Sequence, residues 1–263
     1  MIYLDYNGST PLAPEVAETI RGFLDGPYGN PSALHWASRP AREAIEDARA
    51  EVAALFACTP GEVVFTSGGT ESINHAIKGA FFARGGAGSH IITTGVEHPS
   101  TLSTCKFLES LGAAVTYLPV DRDCRVDPAV LRAAITDRTI LVSIMHANGE
   151  VGTIQPVPEI AAITRDRGVL LHLDAAQTAG KIPLDADALG VDLLSIAAQK
   201  MYGPKGVGAL YIRNGVTLEP LIHGADHQSG RRAGTESAML SAALGTACRL
   251  ARDLSPMARV KDL

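Results

Sequence analysis

The sequence predicts an α/β fold, a mostly parallel sheet sandwiched by helices. Three observations carry that expectation. From residue 63 onward, short apolar runs alternate with longer stretches whose apolar residues recur at helical spacing. That is the rhythm of a parallel sheet covered on both faces. The 263 residues are 46% hydrophobic and 19% charged, an ordinary globular balance in a chain long enough for one large core. Polar residues gather where the apolar runs end, which is where such sheets bind ligands.

Taken in order, Thr10, Pro11 and Pro14 mark a turn. Residues 15–24 follow as an amphipathic helix with Val16, Ile20 and Leu24 on one face, broken by the Gly/Pro-rich stretch 26–31. Residues 41–56 form a second helix through Ala44, Ile45, Ala48, Val52, Leu55 and Phe56. Strands are expected at 63–65, 91–93, 115–118, 140–145, 169–173, 193–196 and 208–212. Helices are expected between them at 71–84, 100–111, 128–135 and 157–167. A last helix spans 240–252 and fades into a charged end. The organisation is therefore an N-terminal arm over 1–14, one large domain over 15–252, and a short remainder over 253–263.

Net charge is −5, from 23 basic and 28 acidic residues spread along the chain, so nothing resembles a nucleic-acid stripe or a solvating acidic tail. Cys58, Cys105, Cys124 and Cys248 are far apart, without the spacing of a metal site or a redox dithiol. Four scattered cysteines suit a reducing, cytoplasmic setting. The start of the chain lacks the apolar stretch of a signal peptide, and no run reaches transmembrane length, so no membrane partner is expected.

Chemistry is suggested at five strand ends. Thr66, Ser67, Gly68, Gly69, Thr70 and Glu71 sit between a strand and a helix, where glycines and a helix N-terminus make a phosphate cup, or simply an ordinary βα turn. His98 ends the next loop, placed to stack on a flat cofactor or move a proton, or to sit in water. Asn148 precedes Gly149, a pairing that either presents an amide to a ligand or makes a plain turn. Asp174 closes an apolar strand, with Gln177 three residues on. Lys200 follows another apolar run and precedes a Gly/Pro turn, whereas Lys205 lies inside that turn and points to water. A lysine for a Schiff base and a strand-end carboxylate for a pyridinium nitrogen are what a pyridoxal phosphate site needs most.

With these pieces in order, the chain resembles the cysteine desulfurases among the class-V aminotransferase-like, fold-type I pyridoxal phosphate enzymes. The likeness rests on the segment from Tyr3 to Pro11, on Gly29 to Ser32, Phe65 to Ser72, Glu97 with His98, Asp174 to Gln177, Lys200 to Gly206 and Gly230 to Glu236. It implies the large domain of that fold, with pyridoxal 5′-phosphate as cofactor. It implies Lys200 as the covalent attachment and proton carrier, Asp174 on the pyridine nitrogen, Gln177 on the phenolic oxygen and His98 over the ring. Gly69, Thr70 and Gln199 would serve the phosphate and Asn148 the substrate. Thr235 would reach the phosphate of a neighbouring subunit, hence a homodimer. The implied reaction removes sulfur from L-cysteine, leaving alanine and a persulfide for sulfur transfer and iron–sulfur cluster assembly.

Departures from the family pattern shape the alternatives. Residues 253–263 read as the start of a missing or truncated C-terminal small domain, which in the family carries a nucleophilic cysteine and a carboxylate-binding arginine. None of the four cysteines matches that nucleophile. Gln199 stands where the family has histidine, Ala197 where it has serine, and Gly149 where it has a second asparagine. Removing a hydrogen-bonding group from the phosphate cup costs about 1–3 kcal/mol. The sequence therefore also admits a small domain or sulfur acceptor supplied by a partner protein, an impaired member acting as a scaffold, and a β-eliminating lyase or aminotransferase.

Overall fold

All seven expected strands form and join one sheet in the order β1-β7-β6-β5-β4-β2-β3. They are β1 (Val63–Thr66), β2 (His90–Thr94), β3 (Ala114–Leu118), β4 (Thr139–Met145), β5 (Leu170–Asp174), β6 (Leu193–Ala197) and β7 (Gly208–Ile212). The computed structural model describes residues 1–261. Strands β2 to β6 run parallel, and β7 runs antiparallel to both β6 and β1. The connection from β6 to β7 is too short for the crossover that a parallel partner needs.

The expected helices also form: α1 (Pro14–Leu24), α2 (Arg39–Phe56), α3 (Gly69–Ala83), α4 (Pro99–Glu109), α5 (Pro128–Ala134), α6 (Val157–Asp166) and α8 (Ala238–Ala251). α1, α2 and α4 begin one or two residues before their expected starts, each with a proline in its first two positions. Proline lacks the N–H that the first turn leaves unbonded, and its fixed φ suits that turn. Two short helices were not expected, α7 (Ala186–Leu189) and α9 (Ser255–Lys261). α9 corrects the expectation that the chain fades after 252: Ser255 and Pro256 are a helix-start signal. It buries none of its residues. Asp262 and Leu263, the end of the expected 253–263 segment, lie outside the described residues.

Side chains alternate across the central strands and split the interior in two. Val142, Ile144, Leu171, Leu173, Leu194 and Ile196 pack with Ile45, Val52 and Phe56 of α2 and Ile160 of α6. Leu141, Leu170 and Leu193 face the other way, against Ile73 and Ile77 of α3 and Cys105 and Leu108 of α4. On this second face the lining turns polar toward the strand ends. His172 sits between Ser143 and Ser195, with Nδ1 2.8 Å from one hydroxyl and Nε2 2.8 Å from the other. Asp174 follows two residues on, paired with Met145 and Ser195 in the neighbouring strands. The sheet thus grades from apolar, through a buried hydroxyl–imidazole–hydroxyl ladder, to a carboxylate at its edge.

Candidate active site

A cavity of about 350 Å³ opens where the parallel strands end. Gly69, Thr70, His98, Asn148, Asp174, Gln177, Gln199 and Lys200 all line it. Residues from five separate stretches of chain therefore meet in one place, as the strand-end rule for parallel sheets requires. Thr235 does not line the cavity. It lies exposed on the segment after Arg232.

The floor is acidic and dry. Asp174 is 7% exposed and accepts the Ala176 N–H at 3.0 Å. Burial pushes its carboxyl up, opposed by that N–H and by the charge of Lys200. Beside it lies Glu97, 5% exposed, part of the family likeness but assigned no role from the sequence. The Thr94 hydroxyl donates to Glu97 Oε1 at 2.7 Å, while Oε2 is sealed from water without a partner.

One wall is the start of α3. Gly68 has φ of +148°, a conformation open to glycine, and turns the chain from β1 into the helix. The first helical bond is Ser72 N–H to Gly68 O at 3.1 Å. The N–H groups of Gly69, Thr70 and Glu71 therefore precede the hydrogen-bonded ladder, at the positive end of a 15-residue helix. Glu71 braces this turn by accepting Ser67 N–H at 2.8 Å and the Arg232 guanidinium at 2.8 and 3.2 Å. These bonds hold its carboxyl below the usual range although burial works the other way. A Cβ on Gly69 would lie 3.2 Å from the Ala197 methyl, so Ala197 sits directly behind the cup. Gln199 contributes a buried amide oxygen with no partner.

The rim is closed by the N-terminal arm. Lys200 donates from Nζ to Asn7 O at 2.5 Å and Gly8 O at 2.9 Å. Gln177 Nε2 donates to the same Asn7 carbonyl at 3.1 Å, and Asn7 Nδ2 donates to Gly149 O at 2.7 Å. Gln177 Oε1 in turn accepts from Lys181 at 2.9 Å. Gly149, which departs from the family's asparagine, lies against Gln177: a Cβ there would sit 3.0 Å from its side chain. Asn148 holds the same loop, accepting the Glu150 and Val151 N–H groups at 2.8 and 3.2 Å and donating to Val96 O at 3.3 Å. His98 caps α4, with Nδ1 accepting the Ser100 N–H at 3.1 Å. A neutral imidazole held that way carries its proton on Nε2.

This set fits pyridoxal phosphate. An anion cup at a helix N-terminus, a half-buried amine and a buried carboxylate share one cavity with an imidazole donor. Asn7, Gly8 and Glu97 were missed as functional residues. The arm gives no local signal, since its bonds reach Gly149, Gln177 and Lys200. Glu97 had one: a charged residue between valine and histidine directly before a helix start. None of the four cysteines lines the cavity. Burial pushes the Cys58 and Cys105 thiols up to about 12 and raises Cys248 as well.

The family model described as "Aminotransferase class-V" matches residues 2–260. A cysteine desulfurase IscS of Dictyoglomus turgidum is 52% identical over 250 residues, covering 95% of this chain and 64% of that protein. The cysteine desulfurase IscS of Pseudomonas aeruginosa is 48% identical over 257 residues, covering 96% and 64%. The chain thus spans somewhat under two thirds of the length of these relatives. Among solved structures, a NifS-like protein superposes with a TM-score of 0.95 at 40% identity, covering 98% of this chain and 72% of that one. A structure described as SspA in complex with cysteine gives 0.91 at 40% identity, covering 94% and 72%.

Proposed function

The chain belongs to the class-V aminotransferase family, and on that premise we propose that the protein is a pyridoxal phosphate-dependent cysteine desulfurase. The observation that carries this is the meeting of Lys200 and buried Asp174 in one cavity beside the α3 phosphate cup. The high identity to relatives named as cysteine desulfurases, and the likeness to a protein solved with cysteine, support the substrate. The reaction takes sulfur from L-cysteine to an acceptor thiol, giving alanine and a persulfide, a sulfur source of the kind that iron–sulfur cluster assembly uses.

When bound, pyridoxal phosphate supplies an electron-withdrawing ring that takes up the electron pair released at the α-carbon of the amino acid. The chain's own residues do the rest. Asp174 offers an anion, shielded from water, for a pyridinium N–H, where low dielectric strengthens the contact. The open N–H groups of Gly69 and Thr70 bind the phosphate, with the Gln199 amide beside them. Lys200 would hold the cofactor's aldehyde carbon, and its amine would be the base that moves a proton at the substrate α-carbon. His98 presents its Nε2–H over the cavity from the α4 cap, and Gln177 and Asn148 shape the side where the substrate enters. Thr235, exposed and outside its own cavity, serves the phosphate of a second subunit in a cytoplasmic homodimer. Exposed Leu34 and Trp36, at 95% and 81%, support such pairing.

A second reading is favoured by one observation: no thiol lines the cavity. β-Elimination needs no acceptor thiol and would give pyruvate from the same amine and carboxylate. One experiment tests both readings. Purified protein incubated with pyridoxal phosphate should gain the visible absorption of the lysine-bound cofactor, and Lys200→Ala should lose it. Adding L-cysteine with a reductant then separates alanine and sulfide from pyruvate and sulfide. A protein that takes up no cofactor overturns the proposal.

A further inference from the structure

Two buried carboxyls share the cavity floor, and their surroundings differ. Asp174 accepts the Ala176 N–H and feels the positive charge of Lys200. Glu97 receives the Thr94 hydroxyl, itself 1% exposed, and the Met145 backbone N–H also pulls its carboxyl down. Its other oxygen is buried without a hydrogen-bond partner. No cation answers it: the Lys200 amine is bonded to Asn7 and Gly8, and Arg232 is bound by Glu71. The groups that face it are Asp174 from β5, the thiol of Cys105 from α4 and His98 on its own loop. An ionised carboxylate placed there would carry an unmet charge at a depth where that is costly.

We propose that Glu97 is a positioning residue that keeps its proton in the folded protein, so that Asp174 is the single anion on the cavity floor. The proposal deepens the pyridoxal phosphate reading above and rests on it for its purpose. Two carboxyls at this depth do not both ionise readily, and the proton goes to the one with no cation beside it. Burial, with a smaller push from Asp174, raises the Glu97 carboxyl to about 8, against the pull of the Thr94 hydroxyl and the Met145 backbone N–H. The pair titrates as a unit, with the anion resting on the side where a pyridinium N–H would meet it. Glu97 thereby sets the charge of the floor without touching the reacting atoms. Lying between Thr94 and His98, it also couples that charge state to the loop that presents the imidazole.

The test uses the full chain. Infrared spectra near pH 6.5 should contain the C=O band of a neutral carboxylic acid, and Glu97→Gln should remove part of it. Urea unfolding between pH 5.5 and 8.5 gives an independent reading. A carboxyl raised in the fold contributes stability that is complete below its unfolded value and lost as pH climbs to its folded value. Relative to Glu97→Gln, the wild-type folding equilibrium should therefore fall about tenfold per pH unit up to roughly pH 8, then level off. An unchanged band, or a difference flat in pH, overturns the proposal, because a merely structural Glu97 moves neither. Cofactor uptake is measured in parallel. Absent uptake with the expected band and slope sinks the enzyme reading alone, while uptake with no band loss sinks this inference alone.

Discussion

Asp174 and Glu97, on the cavity floor, each take a hydrogen bond from close by in the chain, Ala176 and Thr94 being two and three residues away. The Lys200 amine on the rim takes its partners from Asn7 and Gly8, 193 and 192 residues away. The floor is therefore fixed as soon as its strands pair, because the groups that hold it travel with it. The rim exists after the N-terminal arm has closed over the strand ends. Charge is thus stored in the rigid layer, and access to it is governed by a segment held through a few backbone contacts, the kind of element that opens locally at low cost. A site divided this way should respond differently to damage in its two parts.

The largest effect is expected on the floor. Asp174→Asn keeps the size of the side chain and an acceptor for the Ala176 N–H, and removes the charge alone. Truncating one partner of a buried, hydrogen-bonded charge pair costs about 2–5 kcal/mol. The dissociation constant for pyridoxal phosphate should accordingly rise on the order of a hundredfold or more. Thermal unfolding without cofactor should hardly change. Unaltered cofactor affinity in this variant would show that Asp174 is not the anion of the site.

Much of this floor is legible in the sequence. The run from Val169 to Asp174 reads as a strand, and a parallel sheet sends ligand sites to its carboxyl edge, so Asp174, His98, Asn148 and Lys200 are found by position. The same run places His172 and Asp174 two residues apart, on one face. The polar ladder beneath the site is thus visible as a break in an apolar strand, although a lone histidine there does not announce its two hydroxyl partners. What remains illegible is long-range. Nothing near Asn7 announces that its carbonyl serves Lys200 and Gln177, or that Gly149 lies against the Gln177 side chain. Likewise, Glu97 reads as a solvated charge until its burial is known.

Acid sharpens the contrast at intermediate size. His75, His146 and His172 are buried, and burial lowers them to about 4, 4 and 3. Each stays neutral in the fold and gains a proton when unfolded. Their contribution to stability is complete above the ordinary histidine value and is lost as pH falls from about 6.5 toward the folded values. Each group weakens the fold by about 1.4 kcal/mol per pH unit across its window. Urea midpoints should therefore drop steeply between pH 6 and pH 4.5. His75 also leaves both ring nitrogens without partners. His75→Leu should raise stability at neutral pH by roughly 1–3 kcal/mol and make the acid decline shallower. A decline of unchanged steepness would mean that His75 is hydrated or bonded in solution.

The smallest effect belongs to the arm. Thr10 is its anchor: Oγ1 accepts the Tyr202 N–H at 2.8 Å and donates to Gln199 O at 3.1 Å. Tyr202 sits at φ of +62°, a strained conformation in the turn after Lys200, which that bond helps to hold. Thr10→Val keeps the shape and removes both hydrogen bonds of the hydroxyl, costing about 1 kcal/mol. Global unfolding should move little, since strand pairing and the two apolar faces of the sheet are untouched. Amide exchange over residues 1–13 and at Tyr202 should rise severalfold, while β5 stays protected. Equal exchange in β5 and the arm would erase the distinction between floor and rim, because it would mean that both open in the same unfolding event.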